Sequence, residues 1–464
     1  MNDITPIISA DERISSADTI ADLLANRDFV ALRELTENIP AVDLASAFLD
    51  VPERHRVLLF RLLSKEQATK TFVELSSDLQ RVLIDGFSDA ELSDMLDELY
   101  LDDTVDIIEE MPANLVKRIV RGSTPENREI INKLLRFDKD TAGALMTTEY
   151  VRLTPEITVS EALARIKRVA IDKETIYTCY VTDHQRRLRG IVTAKSLLLS
   201  DSDVTMEDIM EENVVFARTD DPRESVARLF DKYGFLALPV VDSETRLVGI
   251  ITVDDAMDVL REETEEDFAK MAGITPSNET TYLRTPFLSL FKARIPWLLL
   301  LMVSATLSST ILGKFEAALP SVLLLFIPML MDTGGNSGGQ ASVTVIRGIS
   351  LGEIFPRDIL RVLWKELRVG LISGLTLGAV AFLKVMVVDN LLMNNPAVTL
   401  TVAFSVALTL ALTIISSKLI GAVLPIGATK LGFDPAVMAS PFITTIVDAI
   451  SLLVYFAIAS VLII

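Results

Sequence analysis

The sequence predicts a multidomain membrane protein with an acidic soluble N-terminal half and an α-helical transmembrane C-terminal half. Three observations predict this class: an uneven charge distribution, two long uncharged stretches and an internal repeat. Of the 464 residues, 276–464 contain 12 Lys+Arg and 9 Asp+Glu, so residues 1–275 carry the other 32 and 55. The net charge of −20 therefore divides into −23 and +3, and the average composition describes neither half.

The composition also argues against several classes of protein. The single cysteine, Cys179, excludes a disulfide scaffold, and the acidic first half disfavours a nucleic-acid partner, which needs a basic face. No apolar segment opens the chain, so we predict no signal peptide and expect the first half to stay in the cytosol. The only histidines, His55 and His184, lie outside the apolar half, so an intramembrane metalloprotease is not predicted, nor is any other enzyme.

We predict five membrane spans in the transmembrane domain, residues 286–464. Residues 295–313 carry no charge over 19 positions and residues 390–417 none over 28, and a bilayer-spanning helix needs about 20 apolar residues. Nine of the twelve basic residues fall on one side, so we expect that side to be cytoplasmic and the C-terminus to be outside. The predicted spans lie near 293–313, 319–344, 366–388, 398–426 and 438–463.

The first soluble domain, residues 15–135, is predicted to be all-α. Leucines recur at helical spacing in short amphipathic pieces. A stacked helical superhelix and an ordinary helical bundle both fit this pattern. Residues that interrupt helices recur at Pro40, Pro52, Gly86, Pro112 and Pro125.

An internal repeat fills residues 144–260. RLRGIVT (187–193) returns as RLVGIIT (246–252), 59 residues later, and the preceding YVTDHQ returns as PVVDSE. Each copy predicts strand, helix, strand, turn, strand and helix. The repeat resembles a tandem pair of CBS domains, an α/β regulatory module that senses ligands, and we place the copies at 136–200 and 201–260.

The CBS resemblance also implies a candidate nucleotide site. In copies that bind adenosine nucleotides such as ATP, a Thr and an Asp hold the ribose, and the second copy matches them with Thr252 and Asp255. The first copy has Thr193 but lacks the Asp. A purely structural role is equally compatible, because Thr and Asp at this spacing also cap a helix.

Residues 261–285 are predicted to form a connecting helix and a linker, with a break at Gly273 and Pro276. Acidic residues cluster on this connector and on one short helix of the first domain, and like charges at helical spacing repel. A solvated acidic face explains any one of them. For the whole set, a divalent cation bound between domains is the sharper hypothesis. The residues are Asp102, Asp103, Asp106, Asp254, Asp255, Asp258, Glu262, Glu263, Glu265, Glu266 and Asp267.

Asp448 lies in the last predicted span, with no basic residue nearby. A charge at that depth costs about 2.5–3.5 kcal/mol on insertion scales, so it normally faces a protein interior or a water path. With no intramembrane Cys or His, oxygen ligands favour Mg²⁺ or Ca²⁺, and a symmetric dimer would supply two Asp448 side chains to a hydrated ion. The alternative is a protonated Asp448 that is hydrogen-bonded to Thr444, Thr445 or Ser451.

Asp332 begins the segment DTGGNSGGQAS, which is rich in glycine and polar residues inside an apolar stretch. Such a segment faces lipid only if its backbone groups find partners. Tight helix packing through small residues and an ion path lined by backbone groups both fit it.

The order of these parts resembles the MgtE family of magnesium channels. The motifs that carry the resemblance are FDKDTAGALMT (137–147), VDDAMDVL (253–260), TGGNSGGQAS (333–342), and FDPAV followed by VDAISLLVYF. The resemblance implies a homodimer in the lipid of a bacterial inner membrane. Its pore would bind hydrated Mg²⁺ at Asp448, with Asp434 at the cytoplasmic end. Mg²⁺ bound to cytosolic carboxylates would close that pore, and the matching positions are Asp102, Asp106, Glu224, Asp255, Asp258, Glu263, Glu266 and Asp267.

The predicted function is therefore Mg²⁺ transport through a dimeric pore that cytosolic Mg²⁺ closes. A transporter for Co²⁺ or Ca²⁺ is the alternative within the same class. A CBS-bearing chloride channel is disfavoured, because the intramembrane charges are acidic. A sensor without a pore is disfavoured by Asp448 and the glycine-rich segment.

Overall fold

The computed structural model describes residues 19–170, 173–276, 282, 285–315, 320–438 and 440–463. The chain forms two compact units, Met1–Leu260 and Arg261–Ile464. Three parts of the predictions lie outside the described residues: the chain opening with its missing signal peptide, the domain start at residue 15, and the linker residue Arg284.

Short helices build the first part of the first unit, and turn residues delimit them as predicted. Pro40, Pro52 and Pro112 occupy N-cap positions, and Ser88 forms a capping box with Glu91. The helices after residue 28 are α1 (Phe29–Glu37), α2 (Ala41–Phe48), α3 (Glu53–Leu62), α4 (Lys65–Val73), α5 (Ser77–Gly86), α6 (Asp89–Leu96), α7 (Leu101–Glu110), α8 (Ala113–Gly122) and α9 (Pro125–Leu134).

These helices stack in chain order. Helix α1 packs on α3, α2 on α4 and α3 on α5, and farther along α5 packs on α7, α6 on α8 and α7 on α9. Phe60 lies in the core of the stack, with its ring edge-on to those of Phe48 and Phe72. Packing of each helix on the one two places ahead is the contact pattern of a superhelix, so the structure favours that one of the two predicted arrangements.

Two three-stranded sheets follow, one for each copy of the repeat. In each sheet the first two strands are parallel and the last two are antiparallel. The strands are β1 (Tyr150–Leu153), β2 (Thr175–Thr182), β3 (Leu188–Thr193), β4 (Ala217–Arg218), β5 (Ala237–Val241) and β6 (Leu247–Thr252). The helices around them are α10 (Ala142–Leu145), α11 (Val159–Val169), α12 (Ala194–Leu199), α13 (Met206–Ile209) and α14 (Arg223–Tyr233).

The strand register confirms the 59-residue repeat. Thr178 opposes Thr193 in the first sheet, and Ala237 opposes Thr252 in the second, with both partners shifted by 59 residues. The predicted order of strands and helices is therefore confirmed in both copies.

The hairpin turns of the two copies are also equivalent. Arg186 and Thr245, 59 residues apart, both adopt a left-handed backbone, with φ values of 66° and 63°. The next residues, Arg187 and Arg246, form an antiparallel bridge that joins the two copies. The pair thus has internal pseudo-two-fold symmetry.

Helix α15 (Val253–Met271) continues from the second copy and belongs to the first unit up to Leu260 and to the second unit from Arg261. It ends as predicted near Gly273, whose φ of 66° suits glycine. The Ile274 N–H closes this end by donating to the Ala269 carbonyl at 2.9 Å.

The second unit consists of long helices. Among the described residues, four helical segments are long and apolar enough to cross a membrane: Phe287–Phe315, Pro356–Leu392, Leu400–Lys430 and Pro435–Leu462. The elements are α16 (Phe287–Phe315), α17 (Ser321–Leu324), α18 (Ile327–Ser350), a 3₁₀ turn (Pro356–Asp358), α19 (Ile359–Lys384), a π-helical stretch (Val385–Leu392), α20 (Leu400–Lys430), a second 3₁₀ turn (Pro435–Met438) and α21 (Ser440–Leu462).

The predicted span near 319–344 is two helices rather than one, because the chain turns at Leu325 and Phe326 between α17 and α18. Helix α18 has 24 residues, and at about 1.5 Å per residue this length would cross a bilayer core. Glycine, serine, asparagine and aspartate dilute its apolar content. The fifth span therefore stays a prediction.

Small residues hold α19 against α20. Gly370, Gly374 and Gly378 repeat every four residues along one face of α19. A Cβ on Gly374 would lie 2.8 Å from the carbonyl oxygen of Ala411 on α20, closer than such contacts occur. The two helix backbones therefore approach as closely as glycine allows.

Candidate cation sites

Helix α7 carries the acidic cluster predicted in the first domain. Asp102 and Asp106 are four residues apart and lie on one face of the helix. Asp102 is only 9% exposed and lies between buried Leu101 and Val105, whereas Asp106 stays exposed. The burial of Asp102 is unusual for a carboxylate, which is seldom fully buried unless it has a partner.

Two glutamates that the sequence analysis did not single out complete this cluster. Glu149 precedes β1 and Glu174 precedes β2, and these strands pair in parallel with Tyr150 opposite Thr175. The Glu174 N–H donates to the Glu149 carbonyl at 3.0 Å, so the two side chains start from adjacent positions. One carboxylate oxygen each from Asp102, Glu149 and Glu174 lies within 4.8 Å of the other two.

Burial and mutual repulsion raise the pKa values of the clustered acids. Desolvation is the main cause for each: it raises the pKa of Asp102 to about 6 and, with repulsion from Asp102, that of Asp103 to about 8. The same two causes raise the pKa of Glu174 to about 8 and those of Asp106 and Asp255 to about 7. The cluster therefore retains protons near neutral pH, and a divalent cation would compete with them.

Thr252 and Asp255 begin helix α15. The Thr252 hydroxyl donates to Asp255 Oδ2 at 2.5 Å. In the first copy the Ser196 N–H donates to Thr193 Oγ1 at 3.1 Å, at the start of α12. Both pairs act as helix caps, so the structural role considered for Thr252 and Asp255 is present, and their nucleotide role stays a prediction.

The connecting helix carries the other predicted regulatory acids. Asp258 is exposed and Glu263 is half-buried. Farther along the helix, Asp267 accepts a hydrogen bond of 3.2 Å from the Ser350 hydroxyl at the end of α18. The last part of α15 is thus attached to the helices of the second unit.

Asp434 also bonds to the connecting helix. Lys270 Nζ lies 2.6 Å from Asp434 Oδ2 and forms a second ion pair with Glu266, one turn earlier on α15. The structure therefore brings two predicted metal positions, Glu266 and Asp434, to one lysine. Sequence analysis did not identify Lys270 because 164 residues separate it from Asp434.

Glu224 has a different environment. It forms an ion pair with Arg228, one turn farther along α14. Within the described residues, the carboxylates grouped with Asp102 are Glu149 and Glu174, and Glu224 is not one of them. Its predicted regulatory role has no support from this geometry.

Asp448 lies half-buried in the middle of α21. Its Oδ1 is buried and has no hydrogen-bond partner in the described part of the chain. The Ser451 hydroxyl, one of its predicted partners, donates instead to the Val447 carbonyl at 2.7 Å. A carboxylate oxygen in this setting suits a cation or a water bound to one.

The glycine-rich segment that follows Asp332 is helical throughout, because it forms the middle of α18. A Cβ on Gly334 would lie 2.6 Å from Thr413 and 3.0 Å from Ser451, and one on Gly335 would lie 3.0 Å from Thr444. The segment therefore packs α18 tightly against α20 and α21. Its backbone groups are engaged within the helix, so an ion path lined by this backbone is not what the structure shows.

Two buried charges in the second unit lie beside the predicted residues. Glu366 on α19 is 9% exposed and Lys418 on α20 is 6% exposed. The sequence analysis placed Lys418 inside a span but did not single out Glu366. Its position at the edge of a predicted span carried no signal of burial.

The fold and these sites define a class: a membrane protein with an acidic soluble domain, a paired α/β regulatory module and a helical domain that contains a buried carboxylate. Family comparisons match residues 327–458 to a divalent cation transporter domain, 39–140 to the MgtE intracellular N domain, and 142–203 and 206–262 to CBS domains. The chain belongs to the MgtE family of magnesium transporters.

Individual relatives agree with this assignment. The magnesium transporter MgtE of Thermus thermophilus is 36% identical over 96% of this chain and 98% of its own length. That of Bacillus subtilis is 32% identical over 94% of each chain. The crystal structure of the cytosolic domain of the Mg²⁺ channel MgtE in complex with ATP is 38% identical, with a TM-score of 0.50 over 52% of this chain and 99% of that chain. The resemblance to MgtE predicted from the motifs is confirmed.

Proposed function

We propose that this chain carries Mg²⁺ across a bacterial cytoplasmic membrane through a pore formed by two copies. The observation that supports this most is Asp448, a half-buried membrane carboxylate whose Oδ1 has no hydrogen-bond partner among the described residues. Mg²⁺ loses its water reluctantly and is often bound through one or two carboxylates with several waters retained. Two Asp448 side chains, one from each copy, would meet that requirement.

The proposed membrane domain has five spans, with α18 as the second. The basic residues then favour a cytoplasmic N-terminus, a C-terminus outside and Asp434 at the cytoplasmic end of the pore. The tight packing of α18 against α21 supports this arrangement. It surrounds a relatively polar helix with protein rather than with lipid.

Cytosolic Mg²⁺ would close the pore through the acidic residues of the first unit and the connecting helix. A bound ion would neutralise the repulsion among Asp102, Asp103 and Asp255, which their raised pKa values reveal. When the ion leaves, repulsion would separate the domains and move α15. The contacts of Lys270 and Asp267 would pass that movement to Asp434 and α18.

ATP is a second proposed ligand, at the second CBS copy. A related cytosolic domain has been solved with ATP, and Thr252 and Asp255 occupy the positions that the CBS resemblance assigns to the ribose. Their hydrogen bond to each other presents the remaining carboxylate oxygen of Asp255 as a possible acceptor for a ribose hydroxyl.

The test is Mg²⁺ entry into liposomes that contain the purified full chain and an encapsulated Mg²⁺-sensitive dye. We expect uptake well above that of protein-free liposomes, and inhibition when Mg²⁺ is raised on the side of the soluble domains. Competition by Co²⁺ and Ca²⁺ separates the proposed ion from its alternatives. Uptake no faster than through protein-free liposomes would contradict the proposal.

A further inference from the structure

We propose that Asp102, Glu149 and Glu174 bind one divalent cation and that this ion joins the helical domain to the first CBS copy. The inference rests on the proposed function, because it adds a regulatory ion to the same transporter. The predicted regulatory acids lie on α7, the second copy and the connector. This site instead recruits two glutamates from the first copy.

The fold builds the site from three separate segments. Parallel pairing of β1 and β2 sets Glu149 beside Glu174, each one residue before its strand. Asp102, in the first turn of α7, supplies the third carboxylate from the helical domain. Three acids from distant parts of the sequence converge here, whereas in a solvated acidic face they would point apart.

The oxygens are spaced for a shared ion. One from each residue lies within 4.8 Å of the others. Ligands on opposite sides of Mg²⁺ are about 4.2 Å apart and those of Ca²⁺ about 5 Å, since each bond is about 2.1 or 2.5 Å. Only a small contraction would therefore bring all three oxygens into contact with one Mg²⁺.

The group also lacks the partners that would make an ion unnecessary. Asp102 is 9% exposed, and the Thr147 hydroxyl and nearby backbone N–H groups face its carboxyl, but its Oδ1 is buried without a hydrogen-bond partner within the described chain. Glu174 Oε2 is buried in the same condition. A buried carboxylate oxygen without a hydrogen bond or a cation is costly, and a divalent ion would satisfy both at once.

The test counts bound ions directly, with Mn²⁺ as the probe. Full-chain protein in detergent is titrated with Mn²⁺, and free Mn²⁺ is read by electron paramagnetic resonance. We expect the double variant Glu149→Gln/Glu174→Gln to bind one fewer Mn²⁺ per chain than wild type, and Mg²⁺ to displace the ion that the variant lacks. Glu126→Gln/Glu129→Gln, which removes two exposed charges from α9, is the matched control and should bind as wild type does. An unchanged count in the Glu149/Glu174 variant would overturn the site.

A second measurement separates an ion site from a structural role. In EDTA the Glu149→Gln/Glu174→Gln protein should unfold at the same temperature as wild type or higher, because the substitution removes repulsion. Added Mg²⁺ should raise its unfolding temperature less than that of wild type. A lower unfolding temperature in EDTA with an undiminished Mg²⁺ effect would assign the glutamates to packing and overturn the site. Mg²⁺ uptake by wild-type liposomes tests the transport proposal separately, so either idea can fail alone.

Discussion

Lys270, near the end of helix α15, donates a 2.6 Å hydrogen bond from its Nζ to Oδ2 of Asp434, 164 residues farther along the chain. The same ammonium group pairs with Glu266. One lysine thus occupies the place between two carboxylates where a cation would bind. Because α15 continues from the second CBS copy, this contact links the regulatory module to the edge of the membrane domain by a single helix.

The first prediction follows from competition between Lys270 and Mg²⁺ for the two carboxylates. In Lys270→Met, Glu266 and Asp434 are free to bind Mg²⁺, so less Mg²⁺ on the side of the soluble domains should be needed to close the pore. Partly exposed pairs are worth about 0–1 kcal/mol, which limits the shift to about fivefold. Liposome uptake at graded Mg²⁺ measures it. Lys270→Arg keeps the charge and should close as wild type does, and a rise in the closing concentration for Lys270→Met would refute competition.

The second prediction concerns pH. Acids such as Asp103, Glu174 and Asp255 have unfolded-state pKa values near 4 but folded-state values of about 7 to 8. Between about pH 4 and 8 the folded chain therefore binds more protons than the unfolded chain. Stability from these groups is present at low pH and lost as the pH rises through the folded-state pKa values. In EDTA, the unfolding temperature of the soluble domains should accordingly fall between pH 6 and 8.

Calorimetry of the full chain with and without Mg²⁺ measures this effect. Millimolar Mg²⁺ should abolish the fall, because the ion replaces the protons as the neutralising charge. Asp103→Asn removes one raised group and should flatten the pH dependence in EDTA. A stability that rises with pH in EDTA would show that these acids do not repel one another as the structure indicates.

Much of the fold was predictable because it depends on local patterns. The 59-residue repeat in the sequence became a 59-residue shift in strand pairing, since residues at equivalent positions in a repeat adopt equivalent registers. Pro40, Pro52 and Pro112 marked helix starts because proline lacks the N–H that an interior helix position needs.

The site was less predictable because it depends on tertiary contacts. Glu149 and Glu174 are isolated acids in the sequence, and only the pairing of β1 with β2 makes them neighbours. The pair formed by Lys270 and Asp434 likewise requires the docking of α15 onto the membrane domain. The glycines after Asp332 suggested an open backbone, but glycine also permits close packing of regular helices, and this second effect dominates.

The third prediction tests the contact between α19 and α20. Gly374→Ala places a methyl group 2.8 Å from the Ala411 carbonyl oxygen, so one helix must move, at a cost of about 1–3 kcal/mol. Gly313→Ala on α16 is the matched control, because nothing lies within 4 Å of its new Cβ. Size-exclusion chromatography after heating in detergent measures both variants. Equal heat resistance would contradict the close helix approach.

The fourth prediction concerns ATP. Asp255→Asn should lower ATP affinity at least tenfold in EDTA, where no Mg²⁺ effect intervenes, because the carboxylate that would accept the ribose hydroxyl is lost. Ser196→Ala alters the corresponding position of the first copy and should leave ATP binding unchanged. Equilibrium dialysis with the full chain measures both. Wild-type affinity in Asp255→Asn would restrict Thr252 and Asp255 to their capping role.

The most direct test of the transport account is Mg²⁺ uptake by Asp448→Asn in dye-loaded liposomes, beside wild type and the exposed-acid control Glu353→Gln. The substitution keeps the side-chain volume and removes the charge that would hold the hydrated ion. We predict that Asp448→Asn takes up Mg²⁺ no faster than protein-free liposomes, while light scattering shows the same dimer as wild type and Glu353→Gln transports normally. Uptake at the wild-type rate by a folded, dimeric Asp448→Asn protein would contradict the account.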